Sequence, residues 1–459
     1  MMYKSILDHE KAEYTYYSTF KSLLSSGGVA NIAIIQGEET YVERFLAKAV
    51  NLTDYREISS IVRHIGVTKG FKEVIDYFKI PAGQTPAGFR LEFIFTGDQT
   101  LKADLVRDIS YDKNGVKRPT KILFSADSAN PYEVAPIRNM IANLTCNPSI
   151  IYDLFINNLK ANVGQKFKNR DEVIGELGRI LGPGCDISVE LNNPFAPEEE
   201  LLEEAYKFQE MLSKYRVVIK VPHTGPVNKD NVNELLMGDK KLQRRYDEGK
   251  TEDYLRGHNL ALMLYEHGFR VNFTLMFEPY QTAMALQARP YFINSFIRHR
   301  HIMSGDIRNL LASCGKTRDS VYLKQLRTYM IEKDILAPKD ADLDLSKGRE
   351  LGEWMLKYRR LETAEGFDGL DGVRHNLRVL RQSHLKESRL IICSMEGNNY
   401  ADIDRMLMED EFRDMQDRVV ITAEPDYLAR FTSTPQVVSY QRRFMNAAQG
   451  QKPDPVLRR

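Results

Sequence analysis

What this sequence has little of narrows the reading before any motif does. Only four cysteines occur in 459 residues (Cys146, Cys185, Cys314 and Cys393), and no two form a Cys-x-x-Cys pair. Such spacing suits a reducing compartment and provides no structural zinc site. An excess of one charge is missing too, since 64 Lys plus Arg face 63 Asp plus Glu. A chain so balanced has no basic surplus to draw nucleic acid or an acidic membrane, so neither is expected as a partner. No apolar run is long enough to span a bilayer, and residues 1–10 lack the apolar core of a signal peptide. A soluble cytoplasmic protein is the expectation. Tryptophan is represented by Trp354 alone.

What the chain does have is length and alternation. Its 459 residues can bury a sizeable core, as several domains or as one α/β barrel with insertions. Residues 1–118 mix helical periods (41–50, 70–78) with strand-like pieces (29–36, 90–95), as a small α/β or α+β unit does. They carry no catalytic constellation. Residues 110–120 are polar, with Gly115 and Pro119, and read as a linker. From Lys121 onward, short strands alternate with helical segments such as 197–212 and 259–267. Strands are predicted at 121–127, 144–150, 186–191, 217–221, 270–275, 291–296, 389–394 and 418–422, eight in all, the number that closes a (β/α)8 TIM barrel. The predicted organisation is an N-terminal domain over 1–118 and a barrel over 119–459. The barrel has two long insertions, at about 225–258 and 300–370, the second helical and following strand six. Charge runs in the first, such as Asp239-Lys240-Lys241 and Gln243-Arg244-Arg245, read as solvated faces.

The barrel is organised around residues 216–224, Arg-Val-Val-Ile-Lys-Val-Pro-His-Thr. A lysine inside a β-branched run closed by proline sits on a buried strand or faces water from an edge strand. If buried, Lys220 is either paired with a carboxylate or kept neutral by desolvation. A neutral buried amine is the nucleophile that imine chemistry on a carbonyl requires. Other strands repeat the pattern, because residues two apart share a face. Ile122, Phe124 and Ala126 oppose Ser125 and Asp127. Ile187, Val189 and Leu191 oppose Asp186, Ser188 and Glu190. Val271, Phe273 and Leu275 oppose Asn272 and Thr274. Thr145 shares a face with Asn147, and Ile392 shares one with Ser394 and Glu396. In a barrel the apolar faces meet the helices, so the polar sets point into the lumen, most of them near the C-terminal strand ends where barrel enzymes build active sites. Such a lumen holds an amine, two carboxylates (Asp127, Glu190) and amide or hydroxyl groups (Asn147, Asn272, Thr274, Ser394). It has no His/Cys cluster for a transition metal, and no cofactor is expected. Imine formation at a ketone, with carbon–carbon cleavage or formation under acid–base control, fits this set.

These residues also resemble a known family. The segments Phe124-Ser-Ala-Asp-Ser-Ala-Asn130, Leu144-Thr-Cys-Asn-Pro-Ser-Ile150, Val217-Val-Ile-Lys-Val-Pro-His-Thr224 and Arg270-Val-Asn-Phe-Thr-Leu-Met-Phe277, with Gln281, are similar in order and spacing to the transaldolases and the related fructose-6-phosphate aldolases. The similarity covers about residues 120–445. It implies a (β/α)8 barrel that forms a Schiff base between Lys220 and a ketose. By the same resemblance Asp127 is the acid/base for the donor hydroxyl, Glu190 and Thr274 hold the catalytic water, and Asn147 and Asn272 bind the donor. Glu190 and Phe296 favour the transaldolase side, since the smaller aldolases carry glutamine and tyrosine there. The sequence departs from the family where a Ser-Pro-Phe-x-x-Arg pattern is expected: Asn294 replaces the serine and His299 falls at the arginine. In the seventh strand, Ser394-Met395-Glu396 replaces Ser-Phe-Arg. A carboxylate at a phosphate-binding arginine repels phosphate. Arg298 or Arg300 would compensate only by a one-residue slip that changes the face.

The expectation is a transaldolase-like transferase that moves a dihydroxyacetone unit between sugars or sugar phosphates, with an altered phosphate site. Its substrate-binding set is Asn147, Asn272, Asn294, Phe296, Arg298, His299 and Ser394. An aldolase releasing dihydroxyacetone, and a non-catalytic barrel used as a binding or regulatory module, are the alternatives. Asn147 also reads as the cap of a turn before Pro148, and Ser394 as a group satisfying backbone. His223 reads as a rim residue. A homo-oligomer is compatible with the sequence but not specified by it.

Overall fold

The computed structural model describes residues 2–3, 17–24, 32–79, 81, 89–114, 116–212, 215–360, 363–393, 399–430 and 433–450. Two β-systems follow one another along the chain. The first is a mixed five-stranded sheet of β1 (Met2–Tyr3), β3 (Ala33–Ile34), β5 (His64–Val67), β6 (Phe89–Thr96) and β7 (Thr100–Arg107), in the order β1-β6-β7-β5-β3. A separate antiparallel pair, β2 (Tyr17–Thr19) and β4 (Ala49–Asn51), lies beside it. Helices Leu52–Ile61 and Lys69–Phe78 start where Asn51 and Thr68 side chains accept from the backbone N–H groups of Asp54 and Phe71. Phe20, Phe45, Phe71 and Phe93 knit this unit's own core through stacked and edge-on ring contacts. The helix predicted at 41–50 is shorter, Glu39–Val42, because residues 49–51 are drawn into the β2–β4 pair.

The second system is a closed, all-parallel barrel of eight strands. They are β8 (Leu123–Asp127), β9 (Asn143–Thr145), β10 (Asp186–Glu190), β11 (Arg216–Pro222), β12 (Val271–Met276), β13 (Phe292–Phe296), β14 (Arg389–Cys393) and β15 (Val419–Ala423). Helices surround them, so the chain is a (β/α)8 barrel, as the alternation predicts. All eight strands fall where expected. The second is the exception in length: it ends at Thr145, and the residues after Asn147 turn into the π-helix Ile150–Ile156.

Side-chain alternation decides which way each strand faces. Ala126, Ile187, Val189, Ile219, Val221, Val271, Phe273, Ile293, Leu390, Ile392, Val419 and Ile421 belong to the core between strands and helices. Burying each of the larger chains contributes roughly 1.5–3 kcal/mol, so the alternating pattern as a whole holds each strand's orientation. Two departures from simple parity occur. Leu275 takes φ 64° in the left-handed region, and the β12–β13 register shifts between Phe273 and Met276. This bulge leaves Leu275 half-buried and gives Met276 the outer-core place that alternation assigns to Leu275. In β14, Ile392 packs outward while Ile391 and Cys393 belong to the inner cluster, so the face drawn through Ile392 and Ser394 is the helix-facing one. Ser394 and Glu396 themselves lie outside the described residues.

The chain just before the segment read as a linker closes the N-terminal mouth of the barrel. Ile109 is fully buried among Leu123, Ala142, Val218, Tyr291, Phe292, Ile391 and Val420. Below the lumen, the Arg216 guanidinium pairs with Asp186 at 2.9 Å, both side chains fully buried, and donates to the carbonyls of Asp108 and Gly184 at 2.8 Å each. The insertion after β13 forms helices Arg298–Thr317, Val321–Glu332 and Leu345–Tyr358 around a small core of Ile307, Leu326, Met330 and Met355. The other insertion ends earlier than predicted, because helix Thr251–Glu266 begins inside its span.

Candidate active site

β11 carries Lys220 into the lumen, where it is 4% exposed. Its register partners are Glu190 on β10 and Asn272 on β12. The Lys220 Nζ lies 3.1 Å from Glu190 Oε2. Burial pushes the amine's pKa down, but the Glu190 and Asp127 carboxylates outweigh it and the net shift is upward. Of the two states open to a buried lysine, the ligand-free protein therefore holds the paired ammonium. Burial alone would favour the uncharged amine, and the two nearby carboxylates reverse that preference.

Asp127 ends β8 and accepts a hydrogen bond from Thr145 Oγ1 at 2.8 Å. Burial raises its carboxyl above the usual range, against the Lys220 charge and the Thr145 hydrogen bond. A proton acceptor of raised basicity thus lies within electrostatic reach of the ammonium. Burial also pushes the Cys146 thiol up to about 12, so Cys146 is an inert thiol at neutral pH.

Asn272 is fully buried, and neither its Oδ1 nor its Nδ2 has a hydrogen-bond partner among the described residues. Leaving such a group unsatisfied costs about 1–3 kcal/mol, so this amide is a ready partner for a ligand hydroxyl. Thr274 is buried two positions on and accepts from Asn294 Nδ2 at 3.3 Å, while Asn294 Oδ1 stays unpartnered. Asn147 is half-buried. Its Oδ1 accepts from the Ile150 N–H at 2.8 Å, the turn-capping role, which leaves its Nδ2 as the group able to meet a ligand.

The rim residues fall differently. Phe296 rests against Phe277 with ring centroids 4.9 Å apart, and Phe277 meets the His299 ring at 5.8 Å. Arg298 and His299 are exposed on the first turn of helix Arg298–Thr317. Arg300 is buried and turned away, donating to Glu278 Oε2 at 3.1 Å and to Asp371. His223 is half-buried, its Nδ1 accepting from the Gly225 N–H at 2.8 Å, and burial lowers its pKa.

Sequence reasoning missed part of the lumen floor. Ser188 Oγ donates to Asn143 Oδ1 at 3.0 Å, and Asn143 Nδ2 donates to Ser125 Oγ at 2.9 Å. Thr422 lies opposite Ser125 on β15, buried, with no partner for its Oγ1 among the described residues. The period-two rule applied to Asn143–Thr145 and to Val420–Thr422 would have found Asn143 and Thr422. Among the described residues, no helix is long and apolar enough to cross a membrane.

No curated protein matches the chain. Residues 124–333, running from β8 to just past helix Val321–Glu332, match the family described as Transaldolase/Fructose-6-phosphate aldolase.

Proposed function

We propose that the protein is a transaldolase-like transferase that moves a dihydroxyacetone unit from a ketose to an aldehyde through an imine on Lys220. The family match over residues 124–333 supports a Schiff-base aldolase or transferase kind of function. The observation that carries the finer reading is the juxtaposition of buried Lys220 with Glu190 at 3.1 Å and with the unpartnered amide of Asn272 on the next strand.

The chemistry follows from those positions. Lys220 passes a proton to Glu190 and its lone pair attacks the ketone carbon. The carbinolamine then loses its hydroxyl as water and becomes an imine. Asp127 takes the proton of the hydroxyl at C4, the C3–C4 bond breaks, and the electron pair is held as an enamine conjugated to Lys220 nitrogen. The aldehyde fragment leaves. An acceptor aldehyde then takes the enamine carbon, its oxygen takes the proton from Asp127, and water returns to release the new ketose. Asn272, Asn294 and Asn147 supply hydrogen bonds to the bound unit, and Thr274 with Glu190 orients the water. The substrate's far end is read as lacking the usual phosphate contacts. Arg300 is engaged with Glu278 and Asp371, and Glu396 stands where the family resemblance expects an arginine.

Borohydride reduction in the presence of ketoses, phosphorylated and free, tests this reading. A mass adduct on the Lys220 peptide that disappears in Lys220→Met is the expected result. Transfer to an added aldehyde, rather than steady release of free dihydroxyacetone, separates transferase from aldolase. No adduct with any ketose would leave the barrel a binding module.

A further inference from the structure

The two insertions are lashed to each other. Arg245 makes a bidentate pair with Asp340 at 2.9 and 3.0 Å, Lys241 reaches Asp334 at 2.9 Å, and Lys339 reaches Glu248 at 2.8 Å. The charge run that reads as a solvated face in the sequence is instead the seam of one lobe. Where this lobe meets the segment following β12, three aromatic side chains converge from two parts of the chain. Tyr280 comes from the start of helix Pro279–Gln287, and Trp354 with Tyr358 from helix Leu345–Tyr358. The rings of Trp354 and Tyr358 are 12° from parallel with centroids 5.5 Å apart, and Tyr280 lies 6.2 Å from Tyr358. Yet Trp354 is 54% and Tyr280 59% exposed. Single exposed aromatics are ordinary, but a contiguous set marks a recognition site.

The charges beneath this set identify its occupant. Glu278 accepts from Arg359 at 3.0 Å and Arg300 at 3.1 Å, and Arg300 also pairs with Asp371. Two cations balance two carboxylates. A cationic ligand is held by ring faces walled around it, whereas Trp354 and Tyr358 lie nearly parallel in one stack, and a phosphate site needs an arginine fork with no carboxylate on it. What fits aromatic faces over a neutral floor is a neutral ligand with polarised C–H groups on a flat face and hydroxyls at its edge, which describes a sugar ring. The platform also lies close to the lumen along the chain. Tyr280 is the sixth residue after Thr274, so their backbones are at most about 22 Å apart. Phe277, between them, rests on Phe296.

We propose that Tyr280, Trp354 and Tyr358 form a saccharide-stacking subsite, and that the acceptor is a short neutral oligosaccharide whose open-chain reducing-end aldehyde reaches Lys220. The second half rests on the transferase reading, whereas the stacking subsite stands by itself. In the transfer, one carbon–carbon bond forms between the enamine and the aldehyde carbon, and the aldehyde oxygen takes the proton.

Trp354 is the sole tryptophan, so intrinsic fluorescence reads the platform directly. The full chain is titrated with cellotriose, maltotriose, fructose, fructose 6-phosphate and inorganic phosphate. The expected result is a saturable Trp354 signal with a trisaccharide and not with phosphate, the same in Lys220→Met, and weakened about tenfold in Tyr280→Ala, the effect of losing about 1.4 kcal/mol of stacking. No saturable signal with either trisaccharide, or one unchanged in Tyr280→Ala, overturns the subsite. Borohydride trapping reads the imine independently: binding without an adduct sinks the transferase reading and keeps the platform, and an adduct without binding does the reverse.

Discussion

Arg216→Met removes the cation from the floor of the barrel without touching the reacting groups. Arg216 and Asp186 are both fully buried and 2.9 Å apart, so the substitution strands a carboxylate where no water reaches. Breaking a buried pair by removing one partner costs about 3–5 kcal/mol. The Asp108 carbonyl also loses its donor at 2.8 Å, adding about 0.5–1.5 kcal/mol, whereas the Gly184 carbonyl keeps Arg118 at 2.9 Å. A loss of roughly 4–6 kcal/mol is a large part of the 5–15 kcal/mol typical of a folded domain. Replacing both partners, in Arg216→Met with Asp186→Leu, leaves no stranded charge and is expected to recover most of the loss. Urea unfolding followed by circular dichroism, on wild type, both single variants and the double, closes the cycle. A loss below about 1 kcal/mol in Arg216→Met, or a double variant no more stable than it, would refute the account of the floor as one compensated charge pair.

Three further outcomes test the site. Glu190→Gln removes the nearer carboxylate that holds the Lys220 pKa up. Imine formation needs the neutral amine, so the pH profile of borohydride trapping is expected to move to lower pH; an unchanged or higher profile contradicts the pairing. Asp127→Asn is expected to keep the Lys220 adduct while slowing cleavage by about 10²–10⁴-fold, the usual worth of an acid–base group. Because burial raises Asp127, the folded protein keeps a proton that the unfolded chain has already lost above the ordinary carboxylate range, so Asp127 lowers stability as pH rises through that window. Asp127→Asn should flatten this part of the stability–pH curve, and a steeper curve would reverse the sign. Asn272→Leu removes an unpartnered buried amide and is expected to stabilise the fold by about 1 kcal/mol while weakening ketose binding. A thermal scan showing destabilisation by more than that would mean the amide is paired in the free protein.

The barrel was legible because its constraint is local. Each strand must show an apolar face to the helices, and that demand is written two residues apart in 121–127, 186–191 and 217–221. The lumen assignment of Asp127, Glu190, Lys220, Asn272 and Thr274 came from the same rule. It failed where the backbone departs from the regular pleat: at Leu275, whose left-handed φ inserts a bulge, and at Ile392, whose outward face the polar residues after it disguised. Arg300, which could meet a phosphate only through a one-residue slip, is held buried by Glu278 and Asp371 from two other segments.

By itself, the order of residues determined the alternation of strands and helices, the face each strand buries, and the presence of one lysine among two carboxylates. Only the tertiary structure decided that lysine's charge, because a pKa depends on distances to Glu190 and Asp127, which lie tens of residues away in the chain. It also decided that Asp108, Ile109 and Arg118 close the barrel floor and that the two insertions fuse into one lobe with an aromatic face. Those contacts join segments with no shared period, so no local pattern records them.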